Sequence, residues 1–410
     1  MTYPGDLQME NFSYNLPEEN IAKYPLKERD QSRLLIYQDR SLSEDIYRNI
    51  ARHLPEGSLL VFNNTRVVEA RLFFRKVTGG VIEIFALEPH DDFGNVATAM
   101  KQKGNVWWKC LIGGAGKWKR GQVMQKQLDH AGEHIHLAAE IVEKYPDYFT
   151  VQFSWTPPTL TFEEILHLSG VIPIPPYLKR ETEVSDLNRY QTVYASQPGS
   201  VAAPTAGLHF TENVFNSLKT RRIETEFVTL HVSAGTFMPV KSHTLAGHQM
   251  HAEYINITPS VLQRLIDRPQ PVFAVGTTSL RTLESIYWMG VKCFLNPAIG
   301  YEELSIKQWE VYESLDDISI DKQTALQALL NWMKVNSPQN LLIKTRILIA
   351  PPYQTKMIRG LVTNFHQPNS TLLLLVAAII GEEWKKVYEY AISENFRFLS
   401  YGDGCLLYLH

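Results

Sequence analysis

The sequence contains little cysteine, and this argues against two kinds of stabilisation. Its 410 residues include only Cys110, Cys293 and Cys405, which lie far apart and form no C-x-x-C pair. An odd and scattered set of this kind argues against a disulfide framework and against a cysteine-rich zinc site. We therefore expect reduced thiols, as in a cytoplasmic protein.

Long apolar runs and an excess of one charge are also missing. The longest apolar run, residues 372–380, has nine residues, whereas a membrane-spanning helix needs about 20. The first residues show no basic stretch followed by an apolar one, so no signal peptide is predicted. The net charge of −3 gives no attraction of the whole chain to nucleic acid. We expect a soluble, cytoplasmic protein with no membrane partner.

What is present predicts an α/β fold with an inserted all-β domain. The hydrophobic content of 44% is enough to bury a sizeable core. Helix and strand patterns alternate outside residues 66–156, which is typical of an α/β fold. Inside that range, short β-rich runs are separated by Gly and Asp clusters, which predicts a small barrel or sandwich. We expect an α/β domain of residues 1–65 plus 157–410, with residues 66–156 as an inserted β-barrel domain.

Several elements carry clear boundary signals. Thr161 and Glu164 form a capping box for a helix over 162–170, and Thr211 caps the next helix. Further helices are predicted over 259–268, 278–290 and 321–335, the last with Leu326, Leu329, Leu330 and Met333 on one stripe. Strands are predicted over 58–63, 226–232, 251–257, 271–276 and 341–350, the last as one strand or a pair of strands.

Histidines are concentrated in one part of the chain. Five of the thirteen lie between residues 209 and 251, namely His209, His231, His243, His248 and His251. His248, His251 and Glu253 suggest a metal site, but alternation along a strand leaves His248 poorly placed as a third ligand, so no metal is predicted. His251 and Glu253 share a strand face and suit proton transfer, although spacing alone favours two solvated side chains there. His231 in isolation fits a structural histidine.

A strand-to-helix turn offers a candidate anion site. Gly276, Thr277, Thr278 and Ser279 supply backbone amides and hydroxyls at a helix N-terminus, which suits a carboxylate or a phosphate. A well-capped helix explains the same residues. No Walker lysine and no G-x-G-x-x-G motif is present, which argues against nucleoside triphosphate binding. Arg281 and Glu284 are spaced three apart and are able to pair with each other.

The stretch SVAAPTAGLHF, residues 200–210, is unusually small-sided next to a histidine. Spacing alone makes it a tight packing corner with an incidental histidine.

Two further stretches have both a functional and a structural interpretation. Residues 101–126 carry seven Lys or Arg, no acidic residue, and Trp107, Trp108 and Trp118. This combination suits single-stranded nucleic acid, but a solvated charged face is the usual explanation. Asp403 in a Gly-Asp-Gly turn fits a turn aspartate.

Many segments of the chain point together to one family. They are NFSYNLPEENIAKYPLKERDQSRLL, LLVFNNTRVVEARL, IPPYLKR, YQTVYA, PGSVAAPTAGLHFT, VTLHVSAGTF, HQMHAE, AVGTTSLRTLES, TNFHQPNSTLLLLV and FRFLSYGDG. Their order and wording resemble the S-adenosylmethionine:tRNA ribosyltransferase-isomerases of queuosine biosynthesis, and the resemblance runs from about residue 11 to 407.

The resemblance implies an α/β catalytic domain with an inserted β-barrel, and a transferase reaction. The ribosyl group of S-adenosylmethionine would be moved onto 7-aminomethyl-7-deazaguanine at the tRNA wobble position and isomerised, which gives epoxyqueuosine-tRNA, adenine and methionine. S-adenosylmethionine would be a substrate, with no permanently bound cofactor and no metal. The tRNA anticodon loop would be the partner, and we expect a monomer.

The resemblance also implies which residues form the site. It implies that Ala202, Ala203, Ala206 and Gly207 let a flat ligand lie against backbone amides beside His209. The candidate catalytic residues are His209, His231, His251 and Glu253. The candidate substrate-binding residues are Arg66, Thr205, Ala206, Gly207, Thr277, Thr278, Ser279, Arg281, Asn364, His366, Tyr401 and Asp403.

The chain departs from the family pattern in several places. The departures are Ser233, Gln367, Arg346, Ala350, Pro352, Arg359, Gly360 and an extra stretch of about 300–344. Two arginines at usually acidic positions change the local charge, and nearby charge shifts pKa values. Two alternatives therefore stay open: a diverged enzyme that uses S-adenosylmethionine on another acceptor, and a non-catalytic tRNA-binding protein.

Overall fold

The computed structural model describes residues 3–76, 78–119, 121–233, 240, 242–267, 270–337 and 339–409. Its strands are β1 (Arg33–Gln38), β2 (Ser41–Ile46), β3 (Leu59–Asn63), β4 (Thr65–Val67), β5 (Arg71–Arg75), β6 (Val81–Pro89), β7 (Asn105–Gly113), β8 (Met124–His130), β9 (Glu133–Lys144), β10 (Phe149–Thr156), β11 (Gly170–Val171), β12 (Gln197–Ser200), β13 (Glu224–His231), β14 (Glu253–Ile257), β15 (Val272–Val275), β16 (Leu341–Thr345), β17 (Gly360–Asn364) and β18 (Gly404–Tyr408). Its helices are α1 (Val96–Met100), α2 (Phe162–Ser169), α3 (Asp186–Arg189), α4 (Glu212–Thr220), α5 (Pro259–Asp267), α6 (Thr277–Leu295), α7 (Lys322–Asn336), α8 (Thr371–Ile380) and α9 (Glu383–Ser393).

A nine-stranded mixed sheet forms the centre of the molecule, in the order β16-β14-β13-β3-β15-β17-β18-β1-β2. Strands β13, β3, β15 and β17 run parallel to one another. Alternate residues of β3 face two different cores, with Leu59 and Val61 on the α6 side and Leu60 and Phe62 on the α4 side. Burial on both faces explains why these strands are almost continuously apolar.

A seven-stranded sheet, in the order β11-β5-β6-β7-β10-β9-β8, has a core of its own. All its described pairings are antiparallel. The sheet curls so that β8 comes near β5, and the Lys126 ammonium donates to the Ser169 carbonyl at 2.9 Å. Helix α2 closes one side, because Phe162 packs against Trp108 and Trp155. The mixed α/β class with an antiparallel sheet is confirmed, while a separate inserted domain stays a prediction.

Most boundary signals have the predicted geometry. The Thr161 hydroxyl accepts from the Glu164 amide and the Glu164 carboxylate accepts from the Thr161 amide, which completes the capping box. Thr211 caps α4 through the Val214 amide, and the apolar stripe of α7 is buried. No helix within the described ranges is both long enough and apolar enough to cross a membrane.

Two strand predictions are too long. Strand β14 begins at Glu253, so His251 lies before it. After β16 the chain leaves the sheet, because the Ile347 amide bonds to the Thr345 hydroxyl and the Ala350 amide to the Tyr312 hydroxyl. These side chains take the place of a neighbouring strand.

The basic stretch 101–126 has mainly a structural role. The prediction that its tryptophans stack on nucleic acid is wrong for two of the three. Trp108 and Trp118 are buried in the core of the seven-stranded sheet. The Lys109 ammonium pairs with Glu88 at 3.1 Å and Asp91 at 3.0 Å, which neutralises it. Successive side chains of β7 point to opposite faces, and Trp108 points into the core. The sequence alone does not tell which of the two faces is buried.

The extra stretch around 300–344 belongs to the main core. It contributes Leu304, Val311, α7 and the edge strand β16, which pairs with β14. Helices α6 and α7 cross closely at Gly290, where a Cβ atom would lie 2.2 Å from the Ala325 carbonyl oxygen. This stretch therefore extends the sheet beside β14.

Candidate active site

Two adjoining pockets lie at the carboxyl ends of parallel strands in the main sheet. Strand β13 leads to Val232, β15 to Gly276 and β17 to Asn364, and all three residues line the first pocket. The second pocket shares Thr277, Thr278 and Leu372 with the first. This edge is the usual ligand position in open α/β sheets. We call them the first lobe and the second lobe.

The small-sided stretch forms one wall of the first lobe. Ala202, Ala203, Thr205 and Ala206 line it. Gly207 lies behind this wall, since a Cβ atom there would be 1.9 Å from the Tyr194 hydroxyl oxygen. Its lack of a side chain therefore accommodates Tyr194, and the predicted approach of Gly207 to a ligand is corrected.

His209 lies beneath the wall in a hydrogen-bonded chain. The Thr205 hydroxyl donates to the Asn364 carbonyl oxygen at 3.1 Å, and the Asn364 amide donates to His209 Nε2 at 3.2 Å. His209 Nδ1 donates to the Arg29 carbonyl at 3.4 Å, and the ring stacks on Tyr47. Burial lowers the pKa of His209 to about 4. The imidazole is thus neutral, with both nitrogens engaged.

A buried ion pair forms the floor of the second lobe. The Arg281 guanidinium donates through Nη1 to Glu253 Oε2, and through Nε to the Ile347 carbonyl at 3.2 Å. The Ser233 amide donates to Glu253 Oε1 at 3.3 Å. Arg281 is only 7% exposed, and its Nη2 has no hydrogen-bond partner among the described residues. The second lobe therefore contains a buried cationic donor with one free nitrogen.

The suggested pairing of Arg281 with Glu284 is wrong. The Glu284 carboxylate is fully buried and accepts from the Tyr353 hydroxyl at 2.6 Å and from the Lys356 and Met357 amides at 3.0 Å. Burial raises the pKa of Glu284. Each buried charge needs a full set of partners, and helical spacing does not supply them.

The start of α6 faces both lobes. Gly276 caps the helix with φ of 88°, a conformation suited to glycine. Thr277 and Thr278 line both lobes, and the Thr278 hydroxyl is buried without a partner in the described chain. The Ser279 hydroxyl instead donates to the Val275 carbonyl at 2.8 Å. Two of the three hydroxyl residues thus reach the site.

The remaining histidines differ in their access to the site. His231 is buried behind the wall beside Thr65, and burial lowers its pKa to about 4. His366 lines the first lobe, where its Nε2 is 2.9 Å from the Thr363 hydroxyl and burial lowers its pKa to about 3. His248 and the exposed His251 line the second lobe. The described part of the chain contains no group of three potential metal ligands.

Besides Gly207 and Ser279, three more predicted binding residues do not line either lobe. Arg66 is exposed on β4. The Tyr401 hydroxyl donates to Asp186 at 2.9 Å. The Asp403 carboxylate accepts from the Arg33 amide at 2.9 Å and the Arg397 amide at 2.8 Å, and burial raises its pKa. Asp403 therefore has the contacts of a turn aspartate.

Other residues that line the two lobes were not predicted from the sequence. Tyr177 and Ser400 line the first lobe, and their hydroxyl oxygens are 2.5 Å apart. Both lie in segments that carry the family resemblance, IPPYLKR and FRFLSYGDG. Met250 and Leu375 add apolar surface to the second lobe. No chemical pattern marks these residues, because their position depends on the fold.

The departures from the family pattern fall in different places. Ser233 lines the second lobe and Gln367 the first. Arg346 is exposed. Arg359 is also exposed and precedes β17, whereas Asn364 ends it, so about 15 Å of strand separates this arginine from the site. The Ala-Gly-Thr-Phe stretch after Ser233, residues 234–237, lies outside the described residues.

These features define a mixed α/β protein with a two-lobed candidate site for a small molecule at the carboxyl edge of its parallel strands. The family model described as queuosine biosynthesis protein matches residues 9–407, so the chain belongs to that family. The predicted family, and with it a role in queuosine biosynthesis, is confirmed. The chain is also similar to the solved structure of an S-adenosylmethionine tRNA ribosyltransferase from Thermotoga maritima, at 25% identity over 97% of this chain and 99% of that chain, with a TM-score of 0.44.

Proposed function

We propose that this chain is a transferase-isomerase that moves the ribosyl group of S-adenosylmethionine onto 7-aminomethyl-7-deazaguanine at the tRNA wobble position. The products are epoxyqueuosine-tRNA, adenine and methionine. Membership in the queuosine biosynthesis family supports the pathway. The observation that supports this substrate is the second lobe, which is lined both by buried Arg281, whose Nη2 has no partner among the described residues, and by Thr277 and Thr278 at the start of α6.

The two lobes match the two ends of S-adenosylmethionine. The wall of Ala202, Ala203 and Ala206 leaves room for the flat adenosyl group. The methionine carboxylate fits the second lobe, where Arg281 Nη2 supplies a charged donor and Thr278 a hydroxyl. Amides at the start of α6 add further attraction for an anion. The reacting sulfonium then lies where the lobes meet, beside Thr277 and Thr278.

The reaction needs a base that takes a proton, and adenine must leave. The amine nucleophile must attack in a site from which water is excluded. Of the four predicted catalytic residues, His251 and Glu253 line a lobe. Glu253 is engaged by Arg281, so His251 is our candidate to take the proton from the carbon next to the sulfonium. His209 and His231, which are buried and neutral, act as positioning residues through Asn364 and Thr65.

The partner is the tRNA anticodon loop, whose single-stranded bases can be splayed out for recognition. S-adenosylmethionine is a substrate, and the reaction requires no permanently bound cofactor and no metal. We further propose that the protein acts as a monomer in the cytoplasm. The position of Arg359, at the opposite end of β17 from the site, removes one reason to favour a different acceptor.

We also propose that residues 66–156 form an inserted β unit, completed by α2 and β11. A separate apolar core supports this. Amide hydrogen exchange in increasing urea should then show the seven-stranded sheet opening as one cooperative unit, distinct from the main sheet. Simultaneous opening of both sheets at every urea concentration would contradict a separate unit.

Release of adenine tests the function. The protein with S-adenosylmethionine and tRNA carrying the aminomethyl base should release adenine, and omission of the tRNA should abolish the release. His251→Gln should lower turnover by about 10²- to 10⁴-fold, the usual contribution of a general base. His243→Gln, an exposed histidine outside both lobes, is the matched control. Salt-dependent tRNA binding without adenine release would contradict the proposal.

A further inference from the structure

Gln308 joins the extra stretch of the chain to the second lobe. Its side-chain amide donates through Nε2 to the His248 carbonyl at 2.8 Å. Its Oε1 accepts from the Met250 amide at 2.9 Å. One planar side chain therefore holds the backbone on both sides of Gln249. His248, Met250 and His251 all line the second lobe.

The segment that presents Gln308 is itself held firmly in place. The Lys292 ammonium of α6 donates to the Ser305 carbonyl at 2.9 Å and to the Glu310 carboxylate at 2.8 Å. The same carboxylate accepts from the Lys307 amide at 2.9 Å. On the other side, the Arg346 amide donates to the Ile306 carbonyl at 2.8 Å. Gln308 is thus fixed from α6 and from the end of β16.

The segment that Gln308 holds is not part of a helix or a strand. Residues 248–252 precede β14 and adopt no regular secondary structure. An irregular segment has no ladder of backbone bonds to fix it, so side-chain contacts decide its position. The two bonds to Gln308 satisfy one carbonyl and one amide in this segment at once.

We propose that Gln308 is a positioning residue for the second lobe: by holding the His248–Met250 backbone, it sets where His251 and Met250 meet the methionine end of the substrate. This inference rests on the proposed function for its kinetic consequence. It assigns a role to the stretch of about 300–344, in which the chain departs from its family. A lobe that is already ordered before the substrate binds does not have to be ordered on binding, so the affinity for the substrate is higher.

Gln308→Leu tests the proposal, because it keeps the bulk and removes both hydrogen bonds. The KM for S-adenosylmethionine should rise about tenfold, the effect of losing two neutral hydrogen bonds. The kcat should fall as well, because His251 is the proposed general base, whereas the KM for tRNA should stay within about twofold. Exchange of the amides at 248–251 should become faster. Gln327→Leu, the same change on α7 where Gln327 contacts Asn331, should behave like the wild type.

The outcomes separate a positioning role from a structural one. Loss of folded protein lowers kcat at unchanged KM, and that result, or an unchanged KM with unchanged exchange, would overturn the proposal. Should Gln308→Leu fail to fold, Gln308→Glu keeps the acceptor for Met250 and removes the donor to His248, and it should raise the same KM. Should the wild type not turn over, the exchange rates at 248–251 still test the contact by themselves.

Discussion

Arg281 has a structural role as the partner of Glu253 and, in the proposed function, a second role as the donor to the substrate carboxylate. Its Nη1 donates to Glu253, its Nη2 has no hydrogen-bond partner among the described residues, and the residue lines the second lobe. The pair is almost entirely removed from water, with side-chain exposures of 9% and 3%. A buried charge without its partner is strongly destabilising, so simple removal of Arg281 would confuse folding with binding.

A double substitution separates the two purposes. Arg281→Met should lower the free energy of unfolding by about 3–5 kcal/mol, because the Glu253 carboxylate is left buried without its cation. Adding Glu253→Met should restore most of that loss. Neither variant should bind S-adenosylmethionine, since the donor for its carboxylate is gone. Urea unfolding and titration calorimetry measure the two effects, and normal binding by the double variant would refute the carboxylate site.

Ala206 tests the small-sided wall. Ala206→Leu should abolish binding of S-adenosylmethionine, because the added carbons occupy the first lobe. Overpacking should also lower stability by about 1–3 kcal/mol. Ala99→Leu, buried in the other core, should be destabilised similarly while it still binds. Intact binding and turnover in Ala206→Leu would remove Ala206 from the site wall.

At the scale of elements, the closest helix crossing rests on one glycine. A helix interior normally gains about 1 kcal/mol when glycine is replaced by alanine. Gly290→Ala should instead destabilise by about 1–3 kcal/mol, because its Cβ atom would push α6 away from the Ala325 carbonyl. Urea unfolding measures the change. Gly116→Ala, with no atom within 4 Å of the added carbon, should be near neutral, and a stabilised Gly290→Ala would contradict the close crossing.

The elements also show what the sequence could and could not predict. Local signals worked where the cause is local, as at the Thr161 capping box and the stripe of α7. The partners of Arg281 and Glu284 could not be predicted, because each lies on a distant segment brought close only by the sheet. The prediction that Gly207 makes room for a ligand was wrong for the same reason: the side chain that occupies this space, Tyr194, comes from a different segment of the chain.

At the scale of the whole molecule, buried neutral histidines make stability depend on pH. Burial lowers the pKa of His209 and His231 to about 4 and of His366 to about 3. An unfolded histidine titrates near 6.5, so between about pH 6.5 and 4 the unfolded chain binds more protons. Stability present above pH 6.5 should therefore be lost as the pH falls through this window.

The size of this loss can be checked with one variant. Each histidine contributes about 1.4 kcal/mol per pH unit within the window. The raised pKa values of Glu284 and Asp403 oppose the loss, so the difference between proteins is more informative than the total. His366→Gln should reduce the slope of unfolding free energy against pH by about one proton. Equal slopes for the variant and the wild type between pH 6 and 5 would contradict a neutral buried His366.

In the proposed reaction, one site takes S-adenosylmethionine apart and delivers its ribosyl carbons to tRNA. This transfer can be followed with S-adenosylmethionine that carries carbon-13 throughout its ribose, the tRNA that carries the aminomethyl base, and mass spectrometry of the wobble nucleoside. A heavier nucleoside that contains every labelled ribose carbon should form together with adenine. An unlabelled wobble nucleoside, under conditions where an established family member labels it, would refute the transfer.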